Sequence, residues 1–176
     1  EGLFENNTKN GKGKYTWATG TTFDGMWIND KKNGMGTMTW PSGTYYTGNY
    51  ENNKRCGEGV MSYPDGGKYE GGWLGDKRHG QGKNFYTSGD TYEGDYFEGK
   101  QHGTGTFTWS SGTRYVGQYV ADQRTGYGTI TFANGSSYTG DWVDGLKKGA
   151  GVYEWESGTK YSGQYDNDSR TGRGTE

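Results

Sequence analysis

Ring-bearing and polar positions alternate along short stretches of this chain, and the alternation restarts every 23 residues. In Tyr69-Glu70-Gly71-Gly72-Trp73 the rings and the middle glycine are two residues apart, which places them on one face of a strand. A second stretch behaves alike. Gly34, Gly36, Met38 and Trp40 alternate with Thr37 and Thr39 pointing the other way, as a half-buried strand requires. Pro41-Ser42-Gly43, Pro64-Asp65-Gly66 and Asn134-Gly135 share one repeat position and are turn sequences in which Gly or Asn supplies positive φ. The other link, such as Ile28 to Asn33, is short and polar. Each unit is therefore predicted to be a β-hairpin, and no helix is predicted.

The period is kept without insertion or deletion. One glycine column runs from Gly2 through Gly25 and Gly48 to Gly163; others start at Gly11, Gly13 and Gly20. Together the four hold 31 of the 36 glycines, so glycine is a positional requirement here and not flexible filler. Three aromatic columns share the frame. The first is Phe23, Tyr46, Tyr69, Tyr92, Tyr115, Tyr138 and Tyr161, two residues before the glycine. The second, two residues after it, is Phe4, Trp27, Tyr50, Trp73, Tyr96, Tyr119, Trp142 and Tyr165. The third, four residues past the G-x-G pair, is Trp17, Trp40, Tyr63, Tyr86, Trp109, Phe132 and Trp155. Glycines opposite these rings let a ring lie flat on backbone, which accounts for glycine inside strands that it would ordinarily weaken.

Composition narrows the architecture. Only 27% of the chain is hydrophobic, against about 45–50% in globular proteins, so a large central core is not expected. Yet 16% is aromatic, which disordered segments are not. A one-dimensional stack in which each unit covers only its neighbours reconciles the two. At about 4.8 Å between strands, a two-strand unit advances roughly 10 Å. Net charge is -2, which recruits no nucleic acid. Cys56 is alone and forms no internal disulfide, which points to a reducing, cytoplasmic setting. No apolar run is long enough to span a bilayer, and residues 1–20 lack the apolar stretch of a signal peptide.

Tyr69-Glu70-Gly71-Gly72-Trp73, then His79-Gly80-Gln81-Gly82, then Gly89, resembles the MORN repeat, and the likeness covers the whole chain in phase. It implies an all-β fold, a single-layer antiparallel β-hairpin solenoid forming an elongated curved ribbon. The expected organisation is one continuous array: a partial unit 1–22, units 23–45, 46–68, 69–91, 92–114, 115–137 and 138–160, and a partial unit 161–176. The chain is expected to be an excerpt of a longer one. The histidine that often precedes G-x-G in the family survives only as His79 and His102, with Asn10, Asn33, Cys56, Thr125, Lys148 and Thr171 in its place. That position is therefore not a shared chemical group.

Candidate chemistry is sparse. His79 and His102 lie one repeat step apart, too far to share a zinc ion, and are expected to be turn residues bonded to nearby backbone. No metal or cofactor is expected. Nearly every polar position is one of several near-copies, whereas an active site needs a unique constellation, and no G-x-G continues into a phosphate-binding fingerprint; no catalytic residue is assigned. Twelve of the 19 basic residues fall in the links before G-x-G and are expected along one edge. Lys31, Lys32, Lys54, Arg55, Lys77 and Arg78 form the densest stretch, the candidate for anionic lipid. Nine acidic residues in the same links offset them, which polybasic membrane segments normally lack.

Protein partners have the stronger physical support, because a repeat ribbon offers a long surface of rigid aromatic side chains. The third column, Trp17, Trp40, Tyr63, Tyr86, Trp109, Phe132 and Trp155, is expected to line a groove on the second strand of each hairpin, for a helix or an extended peptide. Unpaired solenoid ends allow self-association. The family resemblance implies a non-catalytic scaffold or adaptor in a cytoskeletal or ciliary assembly. The alternatives are a phosphoinositide or membrane-surface adaptor, peripheral on the membrane, and the regulatory arm of an enzyme. Tyr45, Phe85, Met26 and Val116 break the polar pattern and are expected on the opposite face, with a local bulge at Asn84 and Phe85.

Overall fold

The computed structural model describes residues 2–5 and 8–175; the side chains of residues 2–5, Phe4 among them, and of Arg173 lie outside the described residues. Two compact units are present, Glu1–Thr87 and Ser88–Glu176. The first holds β1 (Gly2–Glu5), β2 (Thr8–Thr16), β3 (Thr22–Ile28) and β4 (Lys31–Thr39). It continues with β5 (Tyr45–Glu51), β6 (Lys54–Ser62), β7 (Lys68–Leu74) and β8 (Lys77–Phe85). The second holds β9 (Thr91–Phe97), β10 (Lys100–Thr108), β11 (Arg114–Val120) and β12 (Gln123–Thr131). Its remaining strands are β13 (Ser137–Val143), β14 (Leu146–Glu154), β15 (Lys160–Asp166) and β16 (Ser169–Thr175). Within each unit every strand pairs antiparallel with its neighbour in sequence, and no helix occurs among the described residues.

From β3 onward the hairpin loops are two residues long, and both residues have positive φ: 47° and 63° at Asn29 and Asp30, 50° and 82° at Asp144 and Gly145. These are type I′ values, whose twist matches that of the flanking strands. Where the second loop residue is aspartate, its side chain ties the loop to the repeat before it. Asp30 Oδ1 accepts from the Lys9 amide at 3.0 Å while the Asp30 amide donates to the Lys9 carbonyl at 3.1 Å. Asp168 repeats the arrangement with Lys147 at 3.0 and 3.1 Å. The second connection is closed by its opening aromatic residue: the Trp40 amide donates to Thr44 O, and Gly43 donates back to Trp40 O, both at 2.9 Å.

Three separate demands explain the glycine columns. A line of glycines crosses the strands of each unit, Gly13, Gly25, Gly36, Gly48, Gly59 and Gly71 in the first and Gly94, Gly105, Gly117, Gly128, Gly140 and Gly151 in the second, each paired with the next. First-column rings lie over this line. A Cβ on Gly59 would stand 2.2 Å from Tyr46 Oη and 2.5 Å from its Cζ. The first glycine of each G-x-G answers a different need, since Gly34 has φ 66° beside a register shift in the pairing of β3 with β4, a bulge of the kind glycine permits. The Gly43 column supplies positive φ in the turns.

Candidate functional site

Within each unit the first two aromatic columns form a continuous zipper on one face of the strands. The Tyr46 ring meets Tyr50 of its own repeat and Trp73 of the next edge-on, at 5.3 and 5.2 Å between centroids. Tyr115 does the same with Tyr119 and Trp142 at 5.4 and 5.2 Å, the geometry that ring quadrupoles favour. Several polar atoms inside the zipper find backbone partners. Tyr46, Tyr92 and Tyr138 hydroxyls donate to the carbonyl three residues on, at 3.2, 3.0 and 3.1 Å. The Trp27, Trp73 and Trp142 indoles donate to Gly13, Gly59 and Gly128 carbonyls at 3.0, 3.2 and 3.1 Å. From residue 23 on, no ring of these two columns is more than 7% exposed.

The third column is different. Tyr63 and Tyr86 are 37% exposed and Trp17, Trp40, Trp109, Phe132 and Trp155 are half-buried. All seven sit one residue beyond the second strand, at the opening of the turn, and not on the strand as the sequence suggested. The turn takes over there because the residue's own amide and carbonyl close it. The rings still share the inward side: Trp17 approaches Trp27 at 6.3 Å, and Trp109 approaches the Phe107 ring at 4.6 Å.

The basic residues do not form one row, because alternation along the strand sends neighbours to opposite faces. Lys32 pairs across the ladder with Trp27, whereas Lys31 pairs with Ile28. Lys32, Arg55 and Arg78 therefore join Lys9, Arg124, Lys147 and Arg170 over the rings; Lys31, Lys54 and Lys77 are exposed. Arg55 stands 4.3 Å from the Trp73 ring, Arg124 4.5 Å from Trp142, and Lys32 5.0 Å from Tyr50, within reach of cation–π attraction. Lys9 is also clamped by the Asp30 carboxylate and Arg55 by that of Asp76, each at 3.0 Å. Burial pulls the Lys32 ammonium below its ordinary pKa, with Asp76 opposing and Arg55 adding. Lys147 is lowered by burial in the same way, with Asp168 opposing and Arg124 adding. The signal for this register was present in the sequence, since Lys32 has the parity of Trp40 and Lys31 does not.

His79 and His102 lie within β8 and β10 rather than in turns. At the same repeat position Asn10 and Asn33 side chains accept the amides of Asn29 and Asn52, at 3.0 and 3.2 Å. No cluster of three or more His, Cys, Asp or Glu suited to a metal occurs among the described residues. The pairing of β7 with β8 runs in register through Tyr69 and Asn84, so there is no bulge at Asn84; its short side chain takes the inward slot that Met38 and Met61 fill elsewhere, 5% exposed. Phe85 lies on the other face, with Lys68 and Lys83 ammonium groups 4.9 and 5.5 Å from its ring. Tyr45, Met26 and Val116 are exposed.

The MORN repeat family model matches residues 1–22, 23–45, 46–68, 69–91, 92–114, 115–137, 138–160 and 161–176. A search among curated proteins finds no match. Among solved structures the chain is similar to the TCP domain of Drosophila melanogaster SAS-4 (dCPAP) in complex with a proline-rich motif of Ana2 (dSTIL). Identity is 16%, TM-score 0.45, and 86% of this chain and 82% of that one are covered. The TCP10 domain of Danio rerio CPAP in complex with a STIL peptide matches at 14% identity and TM-score 0.39, covering 92% and 82%. The CPAP G-box domain matches at 17% and 0.36, covering 94% and 97%. These are likenesses of fold alone.

Proposed function

The chain belongs to the MORN repeat family along its whole length, and from that premise we propose that it is a non-catalytic scaffold or adaptor holding protein partners on its aromatic face. One observation carries the reading: of three ring columns with one period, two are spent on packing and the third is left half-open. Rings of this kind contribute large contact area for little side-chain entropy. Trp17, Trp40, Tyr63, Tyr86, Trp109, Phe132 and Trp155 are the contact residues, and a cytoskeletal or ciliary assembly is the setting that the family suggests. The test is affinity capture from cell extract by the chain and by a variant carrying Trp40→Ser, Trp109→Ser and Trp155→Ser, after circular dichroism shows that the variant keeps its sheet. Partners lost by the folded variant support the reading, and partners retained by it move the site to the other face.

A second reading has its own observation. Lys31, Lys54 and Lys77 occupy one register position in three successive repeats and are exposed away from the rings, a row able to meet anionic headgroups. Binding to phosphoinositide vesicles that weakens steeply with salt and is lost when the three lysines become glutamine would make the membrane adaptor the leading reading.

A further inference from the structure

In the second unit the open rings and the cations come as matched pairs. Arg124 lies 5.9 Å from the Trp109 ring, Lys147 5.7 Å from Phe132 and Arg170 5.3 Å from Trp155, each cation fifteen residues after its ring. Three successive repeats thus present one apolar plate and one positive charge per step. Arg124 spends one nitrogen on the Gly145 carbonyl at 2.7 Å, which leaves other donors of its fork available. Lys147 and Arg170 make no ion pair among the described residues. Lys147 is half-buried, and Asp168, the acid acting on it, gives its Oδ1 to the Lys147 amide at 3.0 Å, so a ligand carboxylate would add a direct partner for the ammonium.

The step length selects the ligand's backbone. Two strands advance about 9.4–9.8 Å. A polyproline II chain rises about 3.1 Å per residue with three residues per turn, so it returns to the same face every ~9.3 Å and drifts by less than about 1 Å over two steps. An α-helix comes back to nearly the same face only after seven residues, about 10.5 Å at 1.5 Å per residue, and overshoots by about 2 Å over the same distance. A β-strand alternates faces every residue, so the residue three positions on, about 10 Å along the strand, points away from the face that the first residue touches. Only the polyproline helix keeps step with three repeats.

Building on the protein-binding role proposed for this face, we propose that residues 88–176 bind a proline-rich, acidic peptide in the polyproline II conformation, one turn per repeat. A proline in every third position packs on Trp109, Phe132 and Trp155, and carboxylates between them meet Arg124, Lys147 and Arg170. Aromatic plates are the usual partners of this backbone because it is ordered before it binds.

The experiment titrates the full chain with a synthetic peptide of four proline-proline-glutamate triplets, read by calorimetry. Companion peptides replace glutamate by lysine, or both prolines by alanine. The glutamate peptide is expected to bind, to lose about tenfold in affinity with Lys147→Gln, and to lose at least as much with a folded Trp109→Ser, Trp155→Ser variant. The two companion peptides should bind at least tenfold more weakly. Equal binding of the alanine peptide overturns the backbone assignment, and equal binding of the lysine peptide overturns the charge assignment. If the glutamate peptide does not bind while extract partners are still captured through Trp109 and Trp155, the peptide proposal fails and the protein-binding face stands. Failure of that capture as well removes both.

Discussion

Within residues 88–176 the same side chain serves two settings. Trp142 is 2% exposed, set edge-on between Tyr115 and Tyr138 at 5.2 and 5.4 Å, with its indole bonded to Gly128 O. Trp109 is half-buried at the mouth of a turn, with the Phe107 ring 4.6 Å and the Arg124 guanidinium 5.9 Å from its own ring. Both obey the 23-residue period equally. Periodicity therefore says that a ring is required and not what requires it. The zipper closes on itself through the first two columns, and the third is left beyond its rim.

The contrast is broken most severely by attacking the zipper where ring meets glycine. Tyr115→Ala is expected to cost about 3–5 kcal/mol, measured by urea unfolding. Gly128→Ala reaches the same contact from the other strand, since its Cβ would lie 2.4 Å from Tyr115 Oη and 2.7 Å from Cζ; an overpacking cost of about 3 kcal/mol is expected. With Tyr115 already alanine, Gly128→Ala should cost far less, because the clashing ring is gone. Equal costs in both backgrounds would show that the glycine serves something other than the ring.

Alkali should act on the same column. Burial pushes the Tyr115 hydroxyl up to about 12, with Arg124 and the bond to Gln118 opposing. Burial likewise pushes Tyr69 up to about 12, with Arg78 opposing and Glu58 adding. A raised folded-state pKa gives stability that is complete below the unfolded value near 10 and is lost as pH rises through the folded value. The urea midpoint should hold up to pH 10 and fall between pH 10 and about 12, and Tyr115→Phe should blunt the fall. A midpoint insensitive to pH over that window would contradict the burial of these hydroxyls.

A smaller loss isolates one bond of the zipper. Trp142→Phe keeps a ring between Tyr115 and Tyr138 but removes the donor to Gly128 O, leaving a buried carbonyl without its partner. About 1–3 kcal/mol is expected, and amide exchange should quicken in β12 and β13.

Much of this molecule was legible in the sequence. Alternation around Gly71 and Met38 gives the strands, the Pro41 and Pro64 turns give one connection, and the G-x-G spacing fixes the register of the glycine line. What was not legible depends on geometry that one-dimensional spacing does not carry. The two glycines of G-x-G look alike in sequence, yet Gly34 serves a bulge and Gly36 makes room for the Phe23 ring. Lys31 and Lys32 look like one basic patch, and the pleat parts them onto different faces. The third column shares the period of the other two, and its openness follows from standing past the strand end, where a turn leaves one side of the ring uncovered.

The smallest expected effect is also the sharpest test of that difference. Trp109→Ser removes as much side chain as Trp142→Ser, but part of the ring is already in water, so the transfer loss is about 1 kcal/mol against about 3–5 kcal/mol at the buried site. The turn survives, because the Trp109 amide to Thr113 O and the Gly112 amide to Trp109 O, at 2.8 and 2.9 Å, are backbone bonds that serine keeps. Unfolding midpoints measured for the two variants side by side should differ accordingly, with the Trp109→Ser sheet intact by circular dichroism. A Trp109→Ser loss as large as that of Trp142→Ser would mean that the third column belongs to the zipper, and its rings would then have little surface to give a partner.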